Sequence, residues 1–168
     1  MKIKGNELKE MFANVSLGAP ERAIGFVLWR MFHRYQRAID RAMAPLDLTH
    51  LQFTVLTLIA WATRNGEEVS QAELSRTSDI HKMQLSQILK TLEAKGWVQR
   101  VSSSVDVRMK NVQLTRTGLT RVRKALPLAI DVQRRLFGDE GMPEGDLLKT
   151  FSTLLHRIEQ ETDEAEPG

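Results

Sequence analysis

Apolar residues recur at helical spacing in the middle of the chain. Leu85, Leu89 and Leu92 follow one another at intervals of 4 and 3, with Ile88 beside them, and this spacing places them in one stripe of a helix. The opposite side of that helix is polar and carries Lys82, Gln84, Ser86, Gln87 and Lys90. Lys95-Gly96 then gives a cation in the last turn and a residue that tolerates a left-handed conformation. The pattern predicts an amphipathic helix that ends near residue 95.

A shorter helix is predicted just before it, beginning at Ser70. Ser70 and Glu73 have the Ser-x-x-Glu spacing of a capping box, in which each side chain satisfies a free backbone N–H at the helix start. The residues expected to face the interior are Ala72, Leu74 and Ser75. A break is expected around Ser78-Asp79, so a turn joins the two helices.

Two β-like runs follow the second helix. They cover residues 97–101 and 109–114, and a polar, basic segment over 102–108 joins them. A short capped helix, a turn, an amphipathic helix and a hairpin, in that order, are typical of a winged helix-turn-helix. The alternative is a small helical core with a solvated hairpin, and the combination of all four features disfavours it.

This stretch resembles the MarR-like winged-helix transcriptional regulators. The resemblance is carried by Ala-Glu-Leu at 72–74, by Leu-Glu-Ala-Lys-Gly-Trp-Val-Gln-Arg at 92–100, and most specifically by Asp106-x-Arg108 six residues ahead of Leu114-Thr115-x-x-Gly118. It covers roughly residues 21–161. The sequence departs from the family at His81 and Met83, where small polar or capping residues are usual.

The resemblance implies roles for the wing residues. In the family the wing arginine enters the DNA minor groove and a nearby aspartate orients it, which implies these roles for Arg108 and Asp106. The residues expected to lie on DNA are Ser70, Gln71, Lys82, Gln84, Ser86, Gln87, Lys90, Asp106, Arg108 and Lys110. The amides of Gln84 and Gln87 suit adenine edges, whereas the lysines suit phosphates.

Long helices are predicted on both sides of this region. One begins at Pro20-Glu21, one covers residues 50–62 after a Thr49 cap, one runs from the Thr115 cap to residue 137, and the last begins near Asp146. The expected fold class is mainly α with a small β-hairpin wing, a winged helix-turn-helix with long N- and C-terminal dimerisation helices. The expected organisation is an N-terminal arm over 1–20, a helical dimerisation region over 21–48 and 119–161, a winged helix-turn-helix DNA-binding region over 49–118, and a disordered acidic tail over 162–168. For the arm, packing across a partner subunit and a frayed terminus stay open.

The first long helix and the last helix each carry more apolar surface than one side packed on a core would require. The last helix carries a narrow seam between Leu147 and Ile158, which favours pairing with a second copy, with docking inside one chain as the alternative. The first long helix has a second apolar row, and a large core, a dimer interface and a ligand cavity all stay open for it. In the resembling family, aromatic acids and phenols bind between the first two long helices. By that resemblance the candidate effector-binding residues are Trp29, His33, His50 and Phe53.

Composition narrows the functional classes. The chain has 168 residues, 42% of them hydrophobic, and no Cys, so disulfides, thiolate zinc sites and thiol-based sensing are excluded. Residues 66–124 carry 11 Lys and Arg against 6 Asp and Glu, whereas residues 125–168 carry 4 against 10. Positive charge therefore accompanies the predicted DNA-binding region. No apolar run is long enough for a membrane span or a signal peptide, which predicts a cytoplasmic protein without a membrane partner.

These observations predict a sequence-specific transcriptional regulator. Its expected partners are double-stranded DNA, a second copy of itself and a small aromatic effector, and by family resemblance it is expected to repress. An enzyme is disfavoured because the sequence has no phosphate loop, nucleophile elbow or metal-ligand spacing, and no catalytic residue, metal or cofactor is predicted. The alternative is a winged helix that binds proteins only, which would show exposed apolar anchors on the second helix, where only Met83 fits.

Overall fold

Seven α-helices and one β-hairpin are found in the computed structural model, which describes residues 3–102 and 110–165. The chain divides into two compact units, Met1–Ala38 and Ile39–Gly168. The first unit holds α1 (Gly5–Val15), a 3-10 turn over Pro20–Arg22 and most of α2 (Ile24–Met43). The second unit holds the predicted winged helix.

The elements of the second unit follow the predicted order. After a 3-10 turn they are α3 (His50–Ala62), α4 (Gln71–Ser78), α5 (Lys82–Ala94), β1 (Val98–Ser102), β2 (Lys110–Leu114), α6 (Arg116–Phe137) and α7 (Asp146–Ala165). The 3-10 turns cover Ala44–Leu46 and Asp139–Gly141. A mainly helical fold with a two-stranded antiparallel hairpin confirms the predicted fold class.

Side-chain caps determine where α3 and α6 begin. At α3, Thr49 Oγ1 accepts the Gln52 N–H, and the Gln52 side chain accepts the Thr49 N–H, which forms a complete capping box. At α6, Thr115 Oγ1 accepts the Gly118 N–H at 3.0 Å. Both helices begin one residue after the threonine that the sequence analysis named, because these hydroxyls satisfy donors that would otherwise lack partners.

The core of the second unit is built around α3, which packs against α4, α5, β2 and α6. Leu56 and Ile59 of α3 are fully buried, as are the three leucines of the α5 stripe, Leu85, Leu89 and Leu92. A helix in contact with elements on several sides needs apolar residues around most of its circumference. The buried stripe fixes which side of α5 faces outward.

Several predicted details are wrong. Ala72 was expected to face inward but is exposed, because Leu74 alone anchors the short helix α4 in the core. The tail predicted over 162–168 starts too early, since α7 continues to Ala165. The helix predicted from Pro20 begins as a 3-10 turn, and the extended backbone of Ala23 separates that turn from α2.

The N-terminal arm contains a regular helix. Where the sequence left a docking arm and a frayed terminus open, the structure has the 11-residue helix α1. No single helix of the described residues is long and apolar enough to cross a membrane; the bent pair Ile24–Leu46 and His50–Ala62 passes that test by length and composition only.

Candidate nucleic-acid interface

The turn between α4 and α5 is held by side-chain hydrogen bonds. Asp79 ends α4 in a left-handed conformation with φ 54°, at the break that the sequence predicted. Ser75 Oγ donates to the Ile80 carbonyl at 2.7 Å, and Ser78 Oγ donates to the Leu74 carbonyl at 2.6 Å while accepting the Ile80 N–H. Ile80 is buried. The turn thus fixes the direction in which α5 leaves α4.

The C-terminal end of α5 is closed by a Schellman motif. Gly96 has φ 68°, its N–H donates to the Glu93 carbonyl, and the Trp97 N–H donates to the Leu92 carbonyl, both at 2.9 Å. These are the two bonds that define the motif, and the left-handed residue favours glycine. The prediction that α5 ends at Lys95-Gly96 is confirmed.

The outward side of α5 consists of exposed polar residues. Lys82, Gln84, Gln87 and Lys90 are exposed, whereas Ser86 is half-buried. Within the described residues, none of these five side chains makes a hydrogen bond or an ion pair. The carboxylate on the last turn, Glu93, lies 3.7 Å from Arg100 Nε of β1. The face therefore presents two cations and two amides to solvent.

Ser70 caps α4, as its spacing with Glu73 predicts. The residue is only 9% exposed; its Oγ accepts the Glu73 N–H, and Glu73 Oε2 accepts the Ser70 N–H. Both groups are used by the capping box of α4, so Ser70 positions the start of that helix. Gln71, the first residue of α4, is half-buried.

The wing is attached to the segment before α4. β1 and β2 pair antiparallel with Val98 opposite Leu114 and Ser102 opposite Lys110. The Val112 N–H donates to the Val69 carbonyl at 2.9 Å, and Ser70 forms an isolated bridge with Asn111. Lys110 is exposed at the start of β2. The remaining two predicted wing residues, Asp106 and Arg108, lie outside the described residues.

The buried side chain of Asn111 pairs with the exposed Glu68, a contact that the sequence did not predict. Asn111 is 3% exposed, and its Nδ2 donates to Glu68 Oε2 across 43 positions of sequence. A buried amide needs such a partner because an unsatisfied polar group is costly. The one available signal was an asparagine in an otherwise strand-like run; nothing local indicated Glu68.

His81 caps α5, a role that its residue type did not predict. It is the N-cap residue of α5, and its Nδ1 accepts the Met83 N–H at 3.4 Å. Residue 81 therefore still caps the helix, although it is a histidine and not one of the small capping residues usual in the family. The neighbouring side chain of Met83 is 78% exposed.

Trp97 lies under the wing and joins α5 to α6. It is buried, with Lys95 Nζ 4.7 Å and the Arg121 guanidinium 5.0 Å from its ring centroid. Its carbonyl accepts the Thr115 N–H, and a Cβ placed on Gly118 would lie 2.0 Å from the carbonyl oxygen. The glycine of the Leu-Thr-x-x-Gly motif is therefore needed here, because a residue with a Cβ would not fit against the Trp97 carbonyl.

The four candidate effector residues fall into two pairs, one in each compact unit. In the first unit, the rings of Trp29 and His33 lie 4.4 Å apart, and His33 Nδ1 is 2.8 Å from the Trp29 carbonyl. In the second unit, His50 and Phe53 occupy the first turn of α3 and are half-buried.

His50 is held by its backbone. Its N–H donates to Asp40 Oδ1 at 2.6 Å. Burial lowers the pKa of His50, and the Asp40 carboxylate opposes that change by a smaller amount. The folded protein therefore favours the neutral imidazole of His50 more than the unfolded chain does. Among the described residues no group of three or more His, Asp or Glu is placed to hold a metal ion.

Comparisons with known proteins identify the family. Residues 44–133 match the family model described as ArnR1-like, winged-helix domain. An uncharacterized HTH-type transcriptional regulator, YdcH of Bacillus subtilis (strain 168), is 35% identical over 136 residues, covering 81% of this chain and 92% of the relative. The chain belongs to the MarR-like winged-helix transcriptional regulators. Its relatives are regulators rather than enzymes.

Solved structures of MarR-like regulators share this fold. A MarR-family transcriptional regulator from Rhodococcus sp. RHA1 is 25% identical with a TM-score of 0.67, covering 80% of this chain and 92% of that one. CouR from Rhodococcus jostii RHA1, solved with p-coumaroyl-CoA bound, is 26% identical with a TM-score of 0.72, covering 83% and 94%. The MarR-like fold of these structures therefore extends over most of the present regulator.

Proposed function

We propose that this MarR-like regulator binds a pseudo-palindromic operator as a homodimer and represses transcription until a small aromatic effector releases it. The observation that carries the DNA-binding part is the outward face of α5, where Lys82, Gln84, Gln87 and Lys90 are exposed without partners among the described residues. A helix with one fully buried stripe and an unpaired cationic, amide-rich opposite side suits the major groove.

The proposed DNA contacts are of two kinds, with amides at base edges and cations at phosphates or in the minor groove. Gln84 and Gln87 are proposed to bond base edges, with Gln87 placed more directly opposite the buried leucines. Lys82, Lys90 and Lys110 are proposed to contact phosphates, which position the protein without reading sequence. Arg108 is proposed to enter the minor groove, oriented by Asp106, and to favour narrow A·T-rich flanks.

Dimer formation is supported by apolar surface that each unit leaves exposed. In the second unit, Leu154, Leu155 and Ile158 of α7 are 37%, 52% and 55% exposed. In the first unit, Trp29 and Phe32 of α2 are 58% and 52% exposed. Apolar patches of this kind are uncommon on monomers. A two-fold dimer would place its two α5 helices in the major groove at two DNA half-sites roughly 34–36 Å apart, or a multiple of that distance.

The effector proposal rests on aromatic chemistry. Phe26, Trp29, Phe32 and His33 are neighbours on α2, with Phe26 and Trp29 stacked at 6.2 Å and Phe32 edge-on to His33 at 5.6 Å. The similar protein CouR was solved bound to p-coumaroyl-CoA. An effector acts only through different affinities for the DNA-binding and released states. Repression is proposed because it is the commoner outcome in the family that this chain resembles.

The test of DNA binding is selection from random duplexes by the purified protein at two salt concentrations. We expect a pseudo-palindrome whose affinity falls with salt. The Lys90→Ala variant should reduce the salt slope by about 1 per half-site, and Arg108→Ala should weaken binding. Arg135→Ala, a change on the exposed last turn of α6, is the matched control and should bind normally. Absence of any enriched sequence together with a flat salt dependence would reject DNA reading in favour of a protein-binding winged helix.

Dimer and effector need separate measurements. Leu155→Asp should lower the sedimentation mass toward that of one chain if α7 lies in the dimer interface. For the effector, aromatic acids and p-coumaroyl-CoA are titrated into the operator complex, with Trp29→Ala compared against Trp61→Ala. Trp61 is also exposed, at 64%, but lies outside the proposed aromatic cluster. Equal responses of the two variants, or no release by any compound, would reject the effector site. Repression is tested by a reporter behind the selected operator.

A further inference from the structure

Met83 has the highest exposure of the large apolar side chains that the structure describes. It is 78% exposed in the first turn of α5, beside the residues proposed to contact DNA. A single exposed apolar residue needs no explanation in general. The position of Met83 on the helix is what distinguishes it.

The geometry of α5 places Met83 at the centre of the outward face. At about 100° per residue, Met83, Gln87 and Lys90 fall within a sector of about 60°. The middle of that sector lies opposite the buried Leu85, Leu89 and Leu92. A helix that enters a groove brings this sector closest to the groove floor, and its N-terminal turn approaches the bases.

The charge around Met83 favours DNA over a protein surface as its partner. Lys90 lies within this sector and Lys82 precedes Met83 in the first turn, and residues 82–92 contain no Asp or Glu. Glu93, the next acidic residue, lies beside Arg100. An exposed apolar group within a cationic, amide-rich face therefore fits a polyanion that itself presents an apolar group. The C5-methyl of thymine is such a group, and it lies in the major groove.

We propose that Met83 reads a thymine in each half-site by packing its side chain against the C5-methyl group. The flexible, polarisable thioether adapts to a small apolar contact. This inference rests on the proposed DNA-binding function and adds to it a specificity-determining residue. It assigns a T·A pair to the position below the first turn of α5, next to the bases contacted by Gln87.

The experiment replaces single thymines of the selected operator by deoxyuridine, which removes only the methyl group. At one symmetry-related pair of thymines, we expect the wild-type protein to lose about fourfold in affinity per half-site, the value for burial of one methyl group. The Met83→Ala variant should bind thymine and uracil operators equally. Met11→Ala, at a methionine that is 45% exposed on α1, should retain the wild-type preference.

Each outcome decides a different claim. Wild-type selection that recovers no operator would overturn the proposed function, and the Met83 contact with it. A recovered operator on which no uracil substitution changes the affinity would overturn the Met83 contact alone. The Met83 contact would likewise be overturned if the Met83→Ala variant lost as much affinity as the wild type when thymine is replaced by deoxyuridine. Thermal unfolding of Met83→Ala should match the wild type, because the side chain is exposed.

Discussion

Replacing Gly118 by alanine should destabilise the junction under the wing. The added Cβ would lie 2.0 Å from the Trp97 carbonyl oxygen and 2.9 Å from its carbonyl carbon. A Cβ atom essentially never comes closer than 3.0 Å to another heavy atom, so the carbonyl must move by about 1 Å. The carbonyl cannot move freely, because it accepts the Thr115 N–H at 3.0 Å and belongs to a buried tryptophan.

The magnitude follows from three contributions. Overpacking of this kind costs about 1–3 kcal/mol, and weakening the Thr115–Trp97 hydrogen bond costs about 1 kcal/mol. Alanine regains about 0.5–1 kcal/mol over glycine in a helix. The expected net loss is about 1–3.5 kcal/mol of unfolding free energy, or about 2–14 °C in Tm for a chain of this size.

Gly25→Ala is the matched control. Gly25 also lies in the first turn of a helix, α2, but a Cβ there meets nothing within 4 Å. This variant should be unchanged or more stable by up to about 1 kcal/mol. Both variants are followed by thermal and denaturant unfolding at one fixed protein concentration, since association would make Tm concentration-dependent. A Gly118→Ala protein as stable as Gly25→Ala would refute the close-contact argument.

Three further predictions concern buried or capping groups. Asn111→Ala should lose about 2 kcal/mol of unfolding free energy, because the Asn111 amide donates a hydrogen bond to the Glu68 carboxylate. Gln113→Ala on the same strand is the control and should change the unfolding free energy little. Equal losses in the two variants would contradict this prediction. Ser70→Ala should cost about 1 kcal/mol through the lost α4 cap and leave DNA affinity of the folded protein unchanged; weakened binding without lost stability would restore Ser70 to the DNA-contact set. Because burial lowers the pKa of His50, folding is fully stabilised by this residue above pH ~6.5, and that stability is lost as the pH falls toward the lowered pKa. The His50→Gln variant should therefore show a flatter dependence of Tm on pH in this range. A dependence equal to that of the wild type would contradict this prediction.

Local signals made most helix boundaries predictable. Thr49, Ser70 and Thr115 each cap a helix at the position that their spacing indicated. The Lys95-Gly96 end of α5 and the break at Asp79 are likewise determined by neighbouring residues. Such features depend on hydrogen bonds within a few positions of sequence, so an amino-acid pattern is sufficient to locate them.

Features that depend on distant residues were not predictable. The pairing of Asn111 with Glu68 joins residues 43 positions apart, and nothing in either local pattern indicates the other. Ser70 has the pattern of both a cap and a DNA contact, and its local sequence does not indicate that it is buried. Ala72 had the spacing of an inward residue, but the direction of a short helix is decided by what it packs against.

The setting of Trp97 makes the junction under the wing observable by fluorescence. The chain has three tryptophans: Trp97 is 4% exposed, whereas Trp29 and Trp61 are 58% and 64% exposed. Replacing the two exposed rings by phenylalanine would leave one emitting indole, shielded from water and adjacent to two cations. Its emission wavelength would then report opening between α5, the wing and α6, without a dye or a label in the DNA-binding region.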